Sequence, residues 1–184
     1  EALVLSAIES GESDKAFALF TRDFGLVRSR ASAVRSEKSK MRYALQSFSR
    51  AHISLIKGKR GWRLAGAAAI KNAGTDREAL AVFARIAALT LRLVHGEETN
   101  EYLFSALADA HETLMSGYRE VPLATIEIVC VARILYALGY LSTEALEGTL
   151  FTHTAYSVEH ILEAEEMKDK LLSSINKAIA ETQL

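Results

Sequence analysis

The chain has 184 residues, which allows one domain or two. Apolar residues make up 49% and charged residues 24%, a globular balance that argues against a disordered or fibrous chain. The formal net charge of −1 hides a sharp division. Residues 1–72 carry fourteen Lys and Arg against six Asp and Glu, a surplus of eight, whereas residues 73–184 carry eight against seventeen, a deficit of nine. A basic half of this kind points to a polyanionic partner, DNA or RNA, although basic faces are often merely solvated.

The first seventy or so residues read as β-structure. Leu3 to Ile8 is a short apolar run, followed by the turn-forming Gly11-Glu12-Ser13-Asp14; a second run, Ala16 to Phe20, ends near Asp23-Phe24-Gly25. The third, Leu26 to Val34, alternates Leu26, Arg28, Arg30 and Ser32 on one face with Val27, Ser29, Ala31 and Ala33 on the other. One face therefore holds two arginines side by side, and the opposite face is small and apolar. A polar, basic connection, Arg35-Ser36-Glu37-Lys38-Ser39-Lys40-Met41-Arg42, follows as loop or as one or two helical turns. Phe48 to Ile56 and Trp62 to Ile70 are the fourth and fifth strands, separated by Lys57-Gly58-Lys59-Arg60-Gly61. Five short strands with the longest link between the third and fourth fit a small OB-type barrel. An SH3-like barrel would give a similar pattern.

At Asn72-Ala73-Gly74 the period changes. Thr75 followed by Glu78 reads as a capping box, and Leu80, Phe83, Ile86, Ala87, Thr90 and Leu93 then recur at helical spacing. A second helix is expected over Asn100 to Met115, with Leu103, Leu107, Ala110 and Leu114 on one stripe. Pro122 suits the first position of a third, and Gly139 suits its C-terminal turn. A last long helix runs from about Ser157 to Glu181, with Ile161, Leu171, Leu172, Ile175 and Ile179 inward. The expected fold is thus α+β: a five-stranded OB-type barrel over residues 1–72 and an all-α helical domain over residues 75–184.

Several function classes have little support. The single cysteine, Cys130, excludes an internal disulfide and a Cys-rich zinc ribbon, and it suits a reducing cytosol. The start, Glu1-Ala2-Leu3-Val4-Leu5, lacks a basic leader and a cleavage site, so no signal peptide is expected. Pro122 to Leu141 is the most apolar stretch, but Glu127 and Arg133 are costly in lipid, and a buried helix is the expectation. Glu12, Asp14 and Asp23 read as turn caps rather than as a metal nuclease site. His153 and His160 have no further metal ligands at a recognised spacing, so no metal is expected. The Lys57 to Gly61 segment lacks the spacing of a phosphate loop, and no nucleophile elbow is present. Neither catalytic residues nor a cofactor are expected.

The cations of the basic half carry the functional expectation. Arg28 and Arg30 on one strand face, the cluster Arg35, Lys38, Lys40 and Arg42, and the hairpin Lys57, Lys59 and Arg60 with Arg63 are candidate phosphate contacts. Tyr43, Trp62 and Phe24 are candidate stacking surfaces, against the plainer reading that each packs in the core.

The words Gly11-Glu12-Ser13-Asp14-Lys15, Leu19-Phe20-Thr21 and Gly25-Leu26-Val27 occur in that order. They continue through Arg35, Ser39-Lys40, Arg42 and Ala44-Leu45-Gln46 to Phe48 and Lys57-Gly58. Over these sixty or so residues the chain resembles the RecO family of bacterial recombination-repair mediators. Ala137-Leu138-Gly139-Tyr140-Leu141 and Ile175-Asn176-Lys177-Ala178-Ile179 are weaker likenesses further on. The resemblance implies an N-terminal OB fold and a helical domain, binding of single- and double-stranded DNA, and annealing of complementary strands without ATP. It also implies work with RecR, contact with the tail of the single-strand-binding protein, and help in loading RecA within the RecF pathway. The implied location is the cytoplasm, at the nucleoid, with no membrane partner. Many relatives carry a four-cysteine zinc module that this sequence lacks, so no zinc is carried over. The family's usual glycine before the basic turn is replaced by Ala33-Val34. The competing expectation is a protein-interaction adaptor whose acidic helical half is the working surface and whose basic half binds DNA only incidentally.

Overall fold

Alternating side chains in the first seventy residues produce five strands: β1 (Ala2–Glu9), β2 (Lys15–Thr21), β3 (Gly25–Ala31), β4 (Arg50–Gly58) and β5 (Gly61–Lys71). They are seen in a computed structural model that describes residues 1–36, 39–117, 121–141 and 149–181. The strands close in the order β1-β2-β3-β5-β4, with β1 also pairing β4. Every pairing is antiparallel except β3 with β5, where Ser29 lies opposite Trp62 and Arg30 opposite Arg63. This is the OB-type barrel, and its connectivity removes every open sheet edge.

Inside, Val4, Phe17, Leu19, Ala31 and Leu64 form the core, joined by Val34 and Leu45 from the long β3–β4 connection. A bulge at Leu5 in β1 keeps the alternation in step on both sides of it. The outer face consequently changes character along the barrel. The row Leu3, Phe20 and Leu26 is buried, whereas the next rows are Ser6, Ala18 and Arg28, then Ile8, Ala16 and Arg30.

Gly25 and Ala33 are two of the positions in this domain that hold the left-handed backbone conformation. Gly25 has φ +62°, and a Cβ there would stand 2.1 Å from the Glu98 carbonyl oxygen. Gly25→Ala is expected to lower stability by about 3 kcal/mol, from the left-handed backbone and the clash together, read as an earlier denaturant midpoint. The third strand stops at Ala31, short of the expected Val34, because Ala33 turns the chain at φ +54°. The Ala33 amide donates to Asp14 Oδ1 at 2.9 Å, which holds that turn against the β1–β2 loop. An alanine in this backbone region is strained by roughly 1–2 kcal/mol, part of which a glycine recovers. Ala33→Gly is therefore expected to raise the melting temperature by about 2 °C, and a lower value would show that the strain is absent.

By packing, the chain divides into two units: residues 1–75 with 87–100, and residues 76–86 with 101–184. The helices are α1 (Arg77–Leu93), α2 (Glu101–Met115), α3 (Leu123–Ala137), α4 (Val158–Glu166) and α5 (Lys168–Glu181), with a 3-10 turn at Thr149–Phe151. Asp76 rather than Thr75 caps α1, its Oδ1 accepting from the Glu78 and Ala79 amides at 2.9 and 3.1 Å. Leu103, Leu107, Ala110 and Leu114 are buried along α2 as the stripe requires. The expected single long C-terminal helix is two. Met167 breaks it at φ −97°, ψ 5°, yet its amide still donates to the Glu163 carbonyl, so the inward periodicity survives the break. Ile161, Ala164, Leu171, Ile175 and Ala178 form that inward stripe, while Leu172, one residue round from Leu171, is 37% exposed.

The two charges in the Pro122 to Leu141 stretch are both satisfied by protein groups. Glu127 accepts from Arg85 Nε and Nη2 at 2.6 Å each. Arg133 is fully buried and donates to the carbonyls of Leu150, Thr154 and Ala155 at 3.0, 2.6 and 3.3 Å, with its guanidinium 4.8 Å from the Tyr156 ring. No helix among the described residues is long and apolar enough to cross a membrane. Burial pushes the Cys130 thiol up to about 12, so at neutral pH it stays protonated and is no nucleophile.

Candidate nucleic-acid interface

Register brings the candidate cations together on the barrel's outer face. Ala18 lies opposite Arg28 and Ala16 opposite Arg30, so each arginine has a small neighbour on β2 and an open space above the sheet. The result is a groove of about 500 Å³ lined by Ser6, Ile8, Ala16, Arg28, Arg30, Arg60 and Trp62, among others. Arg28, Arg30 and Arg60 are exposed and make no ion pair among the described residues. Arg63 is exposed beside Arg30 across the β3–β5 pairing, and Lys59 is exposed in the β4–β5 turn. Like charges gathered on one face repel one another, and a polyanion relieves that repulsion.

The remaining candidates are distributed differently. Arg35 is tied to Glu9 at 3.3 Å and reaches the Gly11 carbonyl at 3.4 Å. With Lys15 and Arg42 it lines a second, smaller cavity of about 300 Å³ that shares no residue with the first. Lys40 is exposed in the turns between β3 and β4, and Lys38 lies outside the described residues. Other cations of the basic half are committed elsewhere: Arg22 and Arg50 both pair with Glu1.

The aromatic candidates separate as well. Tyr43 is 66% exposed and stands apart from the groove. Trp62 is half-buried and forms the groove's wall, its ring 5.3 Å from Phe24 and 4.9 Å from the Lys57 ammonium. Its indole Nε1–H donates to Glu97 Oε1 at 2.7 Å, and Lys57 Nζ donates to Glu97 Oε2 at 2.8 Å. Hydrogen bonds from Lys57 and then Trp62 hold the Glu97 carboxyl below the usual carboxylate range. Sequence reasoning missed Ile8, 65% exposed at the groove's edge, the alanines 16 and 18, and Glu97 beside Trp62. Strand alternation in β1 and β2 carried the signal for the first two; nothing local carried it for Glu97. The floor residue Ser29 is buried, and its hydroxyl has no hydrogen-bond partner among the described residues.

This barrel matches a known family. Residues 1–72 fit the family model described as recombination protein O N terminal. Through this domain the chain is similar to the RecO family. A DNA repair protein RecO of Pelotomaculum thermopropionicum is 29% identical over 143 residues, covering 76% of this chain and 54% of that protein. Its namesake in Desulfitobacterium hafniense is 42% identical over 59 residues, 32% of this chain and 22% of that one. The Dehalococcoides mccartyi RecO is 28% identical over 116 residues, 61% of this chain and 46% of that one. The chain spans about half the length, or less, of the curated relatives it matches.

Proposed function

We propose that this chain is a DNA repair and recombination mediator that binds DNA on the outer face of its barrel and catalyses no reaction of its own. The observation that carries the reading is the groove in which Arg28, Arg30 and Arg60, none with an ion-pair partner among the described residues, stand beside Trp62. Guanidinium groups recognise phosphates by charge and paired N–H donors, and an aromatic wall stacks any base. Such a site reads the backbone and carries no sequence preference.

Similarity to the RecO family supports the finer parts of the proposal. These are binding of both single- and double-stranded DNA, annealing of complementary strands, and assistance to recombinase loading in the RecF pathway. On the same ground its partners are RecR, the C-terminal tail of the single-strand-binding protein and, indirectly, RecA, at the bacterial nucleoid in the cytoplasm.

The test is a fluorescence anisotropy titration of labelled mixed-sequence single- and double-stranded oligonucleotides at several salt concentrations. Binding should weaken linearly on a log–log plot, with a slope of roughly −2 to −3 if three or four phosphates are neutralised. Absence of binding at low salt would sink the proposal. Capture of the repair partners without any DNA binding would favour the adaptor reading instead.

A further inference from the structure

Glu97 is an acid placed among the groups expected to meet an anion. It sits in the Gly96-Glu97-Glu98 segment after α1, within the same packed unit as the barrel. Each of its oxygens takes one donor, Lys57 Nζ and Trp62 Nε1–H, at 2.8 and 2.7 Å. Trp62 and Arg28 line both the main groove and an adjoining cavity of about 340 Å³; Glu97 lines only the second. A strand lying along the first groove therefore reaches Glu97 at the tryptophan.

The arrangement has a clear chemical analogue. A phosphodiester, like a carboxylate, offers two anionic oxygens on one atom. An ammonium and an indole N–H that converge on one carboxylate form a two-donor anion site, here filled from within the chain. We propose that Lys57 and Trp62 form a phosphate subsite for nucleic acid, which Glu97 occupies in the free protein and a backbone phosphate takes over on binding. The inference rests on the DNA-binding reading above and adds to it a brake. Weakly held anions cannot displace Glu97, whereas a strand already anchored on Arg28, Arg30 and Arg60 presents its next phosphate at high local concentration. The exposed Lys57–Glu97 pair is weak enough to be exchanged, since such pairs contribute little in water.

The chain contains a single tryptophan, so its emission reports this contact directly. Oligothymidine of about 15 nucleotides, within the span one OB barrel covers, is the probe. Affinity is measured for the full chain, Glu97→Gln, Glu98→Gln, Lys57→Ala and the Lys57→Ala/Glu97→Gln double variant. Glu97→Gln should bind about fivefold tighter at low salt, the upper range for releasing an exposed ion pair, with a salt slope steeper by about 0.7. Glu98→Gln removes the same charge one residue away and should gain less than half of that. In the Lys57→Ala background, Glu97→Gln should gain nothing beyond Glu98→Gln. Tryptophan emission of the unaltered chain should shift as oligothymidine is added, and Glu97→Gln should begin partly shifted. Equal gains for the two Gln variants, or a gain that persists without Lys57, would overturn the subsite while leaving the DNA-binding reading intact. Failure of the unaltered chain to bind oligothymidine at any salt would overturn both.

Discussion

Replacing Arg28, Arg30 and Arg60 together by alanine is expected to lower affinity for a mixed-sequence oligonucleotide roughly a hundredfold at low salt. The figure follows from about 1 kcal/mol for each lost hydrogen-bonded contact. The log–log salt slope should fall by about 2, since each neutralised phosphate contributes roughly 0.7. Anisotropy titrations at several salt concentrations read both quantities. Stability should hardly change, because all three side chains are exposed and none has an ion-pair partner among the described residues. An altered melting curve would mean that the arginines brace the barrel. An unchanged slope would mean that the nucleic acid runs elsewhere, with the Lys15, Arg35 and Arg42 cavity the next surface to test. Arg35 alone should matter less than Arg28 or Arg30, because a phosphate must first compete with Glu9 for it.

The second large effect lies in the helical half and concerns folding. Arg133 is the largest fully buried side chain described, and its three donated hydrogen bonds hold the carbonyls of Leu150, Thr154 and Ala155. Thr154 and Ala155 lie in an irregular stretch before α4, and Leu150 lies in the 3-10 turn ahead of it. Arg133→Met keeps most of the side-chain volume and removes the buried charge, but it orphans the three acceptors. At about 1 kcal/mol or more for each, the loss is about 3 kcal/mol. In a chain of this size that is a fall of about 10 °C in melting temperature by circular dichroism. Limited proteolysis should cut first between residues 149 and 157. An unchanged melt and cleavage pattern would show that water satisfies these carbonyls unaided. DNA binding at temperatures well below the transition should persist, since the groove is built from the barrel alone.

Much of this was legible in the residues themselves. Period-two alternation from Leu26 onward put Arg28 and Arg30 on one face, and both are exposed on β3. Five runs with a long third link sufficed for the barrel, and the early words Gly11 to Lys15 and Gly25 to Val27 led to the RecO family. These signals are local: they depend on neighbours two to five residues apart. Where a local rule had a competitor, it failed. Thr75 lost the cap of α1 to Asp76, whose carboxylate lies one residue nearer the first free amides. Leu172 looked inward by composition, but the alanines at 164 and 178 complete the stripe instead.

The partnerships that decide the site lie far apart in the chain. By itself, the amino-acid sequence determined a basic five-stranded barrel, an acidic helical half and the arginine face of β3, because hydrophobic period and charge order are properties of consecutive residues. Only the tertiary structure decided which cations share a groove. Barrel closure through the β3–β5 pairing sets Arg63 beside Arg30 and Trp62 opposite Ser29. Packing of the Gly96 to Glu98 segment brings a carboxylate thirty-five residues from Trp62 and forty from Lys57 onto both. Hydrogen bonds across such separations form only once the chain entropy of closing those loops has been overcome by packing elsewhere. No pattern in the sequence announces them.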